Sequence, residues 1–114
     1  MPDQLSQTFA ALADPTRRAM LTRLSAGTAS VSEIAEPFLK QMSLPAVTKH
    51  LKVLERAGLV TKTRDAQRRL CDLKPEGFKE SVEFLEQYRQ ACEESLDRLG
   101  VYLESVTKQN KPLP

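Results

Sequence analysis

Apolar positions along the chain follow a helical rhythm in five places and a strand-like rhythm in two. Leu5, Phe9 and Leu12 predict a short amphipathic helix over about residues 4–12. Asp14-Pro15 is a helix start: Asp caps, and Pro stands first, where its missing N–H costs nothing. The helix that follows is expected to turn Ala19, Met20, Leu21 and Leu24 inward and to stop at Gly27. Ser32 is the expected cap of a third helix with Ile34, Ala35 and Phe38 as its apolar face, shortened or bent by Pro37. After a turn near Lys40-Gln41-Met42, Ser43 caps a fourth helix that accepts Pro45 in its first turn and runs to Ala57, before Gly58. Val47, Leu51 and Leu54 form its buried stripe, and Thr48, Lys49, Lys52 and Arg56 its outer face. Two short helices joined by a tight turn, the second basic on its outer face, make a helix-turn-helix pattern.

Leu59–Arg64 and Arg68–Leu73 are the strand-like runs, with Cys71 and Leu73 expected inward. Asp65-Ala66-Gln67 lies between them and lacks the Gly or Asn of a two-residue primed turn, so a longer or irregular tip is expected. From Pro75 onward, Phe78, Leu85, Cys92, Leu99 and Val106 recur every seven residues. Val82, Leu96 and Leu103 form a second such series, interrupted by Arg89. Together they trace an a/d seam roughly 30 residues and about 45 Å long. A domain of this length leaves most of such a seam uncovered, so pairing with a second copy is expected. The fold class that results is mainly α with a small β-hairpin: a winged helix-turn-helix, with a two-stranded wing at 60–73 and a long last helix. Residues 1–114 read as one domain, 4–12 and 75–106 as its dimer interface, and 108–114 as a flexible tail.

Composition narrows the function. The chain has 114 residues and is 40% hydrophobic, a thin core for one domain. Its apolar runs fall short of the ~18 residues of a membrane span, and its first residues lack the basic and apolar stretches of a signal peptide. A cytoplasmic protein is expected. Two cysteines and one histidine are poor material for a disulfide framework or a zinc site. There is no Gly-rich phosphate loop, nucleophile elbow or His-based triad, so an enzyme is not expected and no cofactor is implied. Charge is more telling by segment. The net +2 of the whole chain hides a +6 over residues 40–70, where eight cations face only Glu55 and Asp65, and a −5 over residues 71–107. A basic reading element followed by an acidic assembly element fits a nucleic-acid binder.

The segments FAALADPTRRAMLTRL, VSEIAEPF, MSLPAVTKHLKVLERAGLVTKTR and RRLCDLKPEGF resemble the arsenic-repressor (ArsR/SmtB-type) family of bacterial winged-helix regulators, over Leu5 to Leu103. SLPAVTKHLKVLERAGLV is the most specific stretch and is similar to that family's recognition helix. The resemblance implies a homodimer, paired through its first and last helices, that binds double-stranded operator DNA and represses transcription. The chain departs from the family's metal-sensing patterns: no Cys lies between Ser43 and Leu59, and no His follows Pro75. Metal sensing is therefore not expected, and the inducer is left open.

The candidate DNA-binding residues are Ser43, Pro45, Thr48, Lys49, His50 and Lys52 of the recognition helix, and Lys62, Arg64, Arg68 and Arg69 of the wing. The hydroxyls suit bases or phosphates, Pro45 or the Thr48 methyl a thymine methyl, and Lys49 guanine or a phosphate; Lys52 suits a phosphate, and the wing cations phosphates or the minor groove. The resemblance places Ser43, Thr48 and His50 near DNA, while a lone His there can instead hydrogen-bond the preceding helix. Arg56 can pair with Glu55 or Glu36. Arg17 and Arg18 are weaker phosphate candidates, with solvated surface charge as the alternative. Leu5, Phe9, Val82, Leu85, Cys92, Leu96, Leu99 and Leu103 are the candidate dimer contacts. Two other readings stay open: a winged helix that binds protein, and a thiol-redox regulator acting through Cys92, which otherwise reads as a small apolar seam residue.

Overall fold

Each of the first four helices begins on a short polar side chain that caps it. Asp3 accepts from the Ser6 amide at 2.9 Å to start α1 (Gln4–Leu12). Asp14 accepts from Thr16 at 3.2 Å to start α2 (Pro15–Ser25). Ser30 accepts from Glu33 at 3.1 Å to start α3 (Val31–Ala35), and the Glu33 carboxylate accepts in return from the Ser30 amide. Ser43 accepts from Ala46 at 3.3 Å to start α4 (Leu44–Arg56). The structure, a computed structural model, describes residues 3–109. The cap of α3 is thus Ser30, not Ser32, because only Ser30 stands three residues before an acid able to close a capping box. Pro37 ends α3 in a 3₁₀ turn over Glu36–Phe38. Ala19 is exposed, whereas Met20, Leu21 and Leu24 are buried as expected.

The strands are β1 (Ala29–Ser30), β2 (Val60–Asp65) and β3 (Arg68–Leu73), in the order β1-β3-β2, all antiparallel. The wing expected as two strands is therefore rooted by a third, since Ala29 and Ser30 pair with Cys71 and Leu70. A two-residue strand carries no readable alternation. The tip is also tighter than expected: Asp65 pairs directly with Arg68, leaving only Ala66 and Gln67 in the turn. Ala66 takes the glycine role, with φ at 56°. That conformation costs an L-residue about 1–2 kcal/mol, more than the ~0.5–1 kcal/mol of freedom that glycine loses on folding. Ala66→Gly is therefore expected to stabilise the protein slightly, by about 0.5–1 kcal/mol, read as a higher urea midpoint.

The core joins Met20, Leu21 and Leu24 of α2, Ile34 and Ala35 of α3, Val47, Leu51 and Leu54 of α4, and Leu59, Val60 and Cys71 beneath the wing. Burial pushes the Cys71 thiol up, away from thiolate chemistry. From α1 the buried residues are Thr8 and Ala11, while Leu5 and Phe9 are half-buried. A 3₁₀ turn, Pro75–Phe78, closes this part of the chain. Its Gly77 lies so near the Gly58 carbonyl that a Cβ there would stand 1.9 Å from the oxygen. Phe78 packs on the core rather than on the seam.

The chain divides into two units after Ser81. The second is the body of α5 (Lys79–Gln109), a 31-residue helix that runs through Gly100 without a break. Val82, Leu85, Leu96, Leu99 and Leu103 are each at least half exposed along it, and Cys92 is exposed. Arg89, which interrupts the seam, is held by Glu86 and Glu93. The helix takes in Lys108 and Gln109, the first two residues of the expected tail; residues 110–114 lie outside those described. No described helix is long and apolar enough to cross a membrane.

Candidate nucleic-acid interface

The helix-turn-helix is α3, the 3₁₀ turn and α4. Burial of Val47, Leu51 and Leu54 turns the opposite side of α4 outward. Pro45, Lys49, Lys52 and Arg56, spaced by four, three and four residues, share that exposed stripe. Ser43 is exposed at the tip; its oxygen is occupied by the cap, which leaves its O–H free to donate. Thr48 is half-buried beside the stripe. Arg56 forms no ion pair among the described residues; it borders a cleft of about 360 Å³ with Gln7, Ala10 and Val53.

Strand register sorts the wing cations. Arg64 stands directly opposite Arg69, and Lys62 opposite Cys71, so Lys62, Arg64 and Arg69 share one face. With Thr63 they line a shallow concavity of about 280 Å³. Like charges set across from each other repel, and an anion between them relieves the repulsion. Arg68 lies on the opposite face, opposite Asp65, and donates to Glu33 at 3.2 Å. Glu33 also pairs with Arg23 at 3.5 Å. Hydrogen bonds from Ser30, then the Arg68 and Arg23 guanidiniums, hold the Glu33 carboxyl below the usual carboxylate range. Three of the four wing candidates are thus brought together, and Arg68 is set apart.

Arg17 and Arg18 are engaged within the fold. The Arg17 guanidinium donates to the Ala11 carbonyl at 2.7 Å and to the Ala10 carbonyl at 3.1 Å, and Arg18 donates to Leu12 at 2.7 Å. The Ala11 and Leu12 carbonyls lie in the last turn of α1, where the helix offers them no amide, while the Ala10 carbonyl also accepts from the Ala13 amide at 3.2 Å. The remaining edge of Arg17 meets His50 Nδ1 at 3.2 Å, and Asp14 Oδ2 lies 3.8 Å from the same nitrogen. His50 is half-buried against the start of α2, the contact that its position beside Leu51 allowed. Sequence reasoning gave Arg17 no structural partner; the signal available was its place three residues after a capping Asp. Among the described residues, no three His, Cys, Asp or Glu side chains gather as metal ligands.

A family model described as a helix-turn-helix domain matches residues 12–63. The chain is 45% identical over 77 residues to the HTH-type transcriptional regulator Rv2034 of Mycobacterium tuberculosis, covering 68% of this chain and 67% of that protein. A crystal structure of an ArsR family transcriptional regulator superposes with a TM-score of 0.71 at 42% identity, covering 80% of this chain and 98% of the other. The chain belongs to the ArsR family of transcriptional regulators. This ArsR-family protein is also 35% identical over 63 residues to the transcriptional repressor SdpR of Bacillus subtilis, covering 55% of this chain and 68% of SdpR. Its fold is shared with a homodimeric winged helix-turn-helix domain of Mycobacterium bovis, at a TM-score of 0.58 and 24% identity, over 84% of each chain. The ArsR-family protein is therefore a transcriptional regulator built on a winged helix-turn-helix DNA-binding fold.

Proposed function

We propose that the protein is a homodimeric repressor that binds operator DNA with α4 in the major groove and the wing beside it. The observation that carries this reading is the distribution of free cations. Lys49 and Lys52 on the outer stripe of α4, and Lys62, Arg64 and Arg69 on one wing face, have no ion pair among the described residues. Arg17, Arg23 and Arg68, by contrast, are committed to partners in the same unit. In the docking geometry of such helices the N-terminal half reads base edges, so Ser43, Pro45, Thr48 and Lys49 address bases and Lys52 a phosphate. His50 and the wing cations complete the contact, with Arg68 the wing residue that must give up Glu33 to join it.

Pairing of two copies is proposed through the seam of α5 at Val82, Leu85, Cys92, Leu96, Leu99 and Leu103, with Leu5 and Phe9 of α1. A row of large apolar side chains at least half exposed on one copy supports that assignment. Footprinting on the DNA upstream of the protein's own gene, at low salt, tests the whole reading: a protected site with two-fold symmetry is expected. A dimer that protects no site anywhere in the genome overturns it in favour of a protein-binding module. Within a positive footprint, Lys49→Ala is expected to cost roughly 1–3 kcal/mol on the specific site and much less on unrelated DNA, measured by paired titrations.

A further inference from the structure

We propose that Arg17 is a positioning residue that ties the recognition helix to α1 and fixes His50 as an Nε2–H donor toward DNA; only the last step rests on the operator-binding reading. A guanidinium has donors and no acceptor. With Arg17 Nη1 at 3.2 Å, Nδ1 of His50 takes the accepting role, which leaves Nε2 to carry the ring N–H. Nε2 has no partner among the described residues. No buried side-chain nitrogen or oxygen among them lacks a partner either, so this N–H is open to solvent. It sits on α4 next to Lys49, where an N–H can meet a phosphate oxygen.

The other edge of the Arg17 guanidinium is fastened to the Ala10 and Ala11 carbonyls, at the end of α1. Asp14, the cap of α2, faces the same cluster, 4.0 Å from Arg17 and 3.8 Å from His50. Carbonyl, guanidinium and imidazole form one chain of hydrogen bonds from α1 to α4. A second tie runs from Gln4 Nε2 of α1 to the Ala57 carbonyl at the end of α4, at 2.5 Å. A movement of α1 therefore reaches the recognition helix at two points, and only the first of them sets the state of a DNA-facing group.

The chain has a single histidine, so its imidazole gives one unambiguous set of nitrogen resonances. In the full chain, with the ring neutral, long-range ¹H–¹⁵N spectra are expected to show Nδ1 bare and Nε2 protonated. Arg17→Ala shifts Nδ1 toward the tautomer-averaged position, and Gln4→Ala leaves it in place. On a duplex selected from random sequence by the full chain, Arg17→Ala and His50→Phe each weaken binding about tenfold, and the double variant loses no more than either alone. His50→Gln, whose amide N–H stands near the Nε2 position, retains affinity. If Arg17→Ala fails to fold, the contrast between His50→Phe and His50→Gln decides, because neither disturbs Arg17's bonds to α1. An Nδ1 resonance indifferent to Arg17, losses that add, or equal losses in the two His50 variants would overturn the proposal. If the unaltered chain selects no duplex, the operator reading falls, and with it the step that presents His50 to DNA. The spectrum then judges the link between Arg17 and His50 alone.

Discussion

Gly77→Ala is expected to destabilise the protein by about 3 kcal/mol or more, a large fraction of the stability of a small domain. The added methyl would stand 1.9 Å from the Gly58 oxygen, 2.7 Å from its carbonyl carbon and 3.3 Å from the Leu59 Cα. All three are backbone, so no side chain can rotate away. Neither partner moves freely. The Lys74 amide donates to the Leu59 carbonyl at 2.9 Å, and Gly58, at φ 78°, ends α4 in a conformation that larger residues resist. The clash therefore spreads to the end of α4. Gly100→Ala is the control: a Cβ there meets nothing within 4 Å, and inside a helix Ala is favoured over Gly by about 0.8–1 kcal/mol. Urea unfolding of the two variants should move the midpoint in opposite directions. A Gly77→Ala midpoint close to that of the unaltered protein would mean that the Pro75–Phe78 turn does not press on Gly58.

The second large effect is that of salt on DNA binding. If Lys52, Lys62, Arg64 and Arg69 of each copy supply the backbone contacts, about six to eight phosphates are neutralised per dimer. Log K then falls with log salt at a slope of about −5 to −7, so raising salt from about 50 to 200 mM weakens binding by about 10³–10⁴-fold. The wing adds its own signature. Arg64→Ala removes one member of the opposed Arg64–Arg69 pair, so it is expected to lower the slope while weakening all sequences alike. A slope near zero would remove the electrostatic basis of the proposed interface.

Much of this architecture was legible because the chain marks its own boundaries. Asp14-Pro15, Ser43 and Gly58 stand where capping chemistry requires them, and Val47, Leu51 and Leu54 keep helical register throughout α4. The capping box of Ser30 and Glu33 is equally legible, and it prevails over Ser32, the cap expected above, because Ala35 stands where Ser32 would need an acid. β1 was not legible, since two residues carry no periodicity and pair only because β3 lies alongside. The tight tip at Ala66 ran against turn preference, and the pairing of the flanking strands prevailed over it. At the site, residue type and spacing found the cations but could not divide them. Only register separates Arg68 from Arg64 and Arg69, and only tertiary contact shows that Arg17 and Arg18 are spent on α1.

The third strand also gives the wing a mechanics of its own. At Leu70 and Cys71, β3 is gripped on both sides, by β1 and by β2, while toward the tip it has β2 alone. The hairpin is thus a short lever with its fulcrum at that pair of residues, and Arg64 and Arg69 ride together on the arm beyond it, which the contact of Arg68 with Glu33 ties to α3. Bending such a lever moves both charges by the same amount and leaves the buried Cys71 end still. If the wing lies against DNA as proposed, such bending would let it follow a groove of varying width while α4 stays in place.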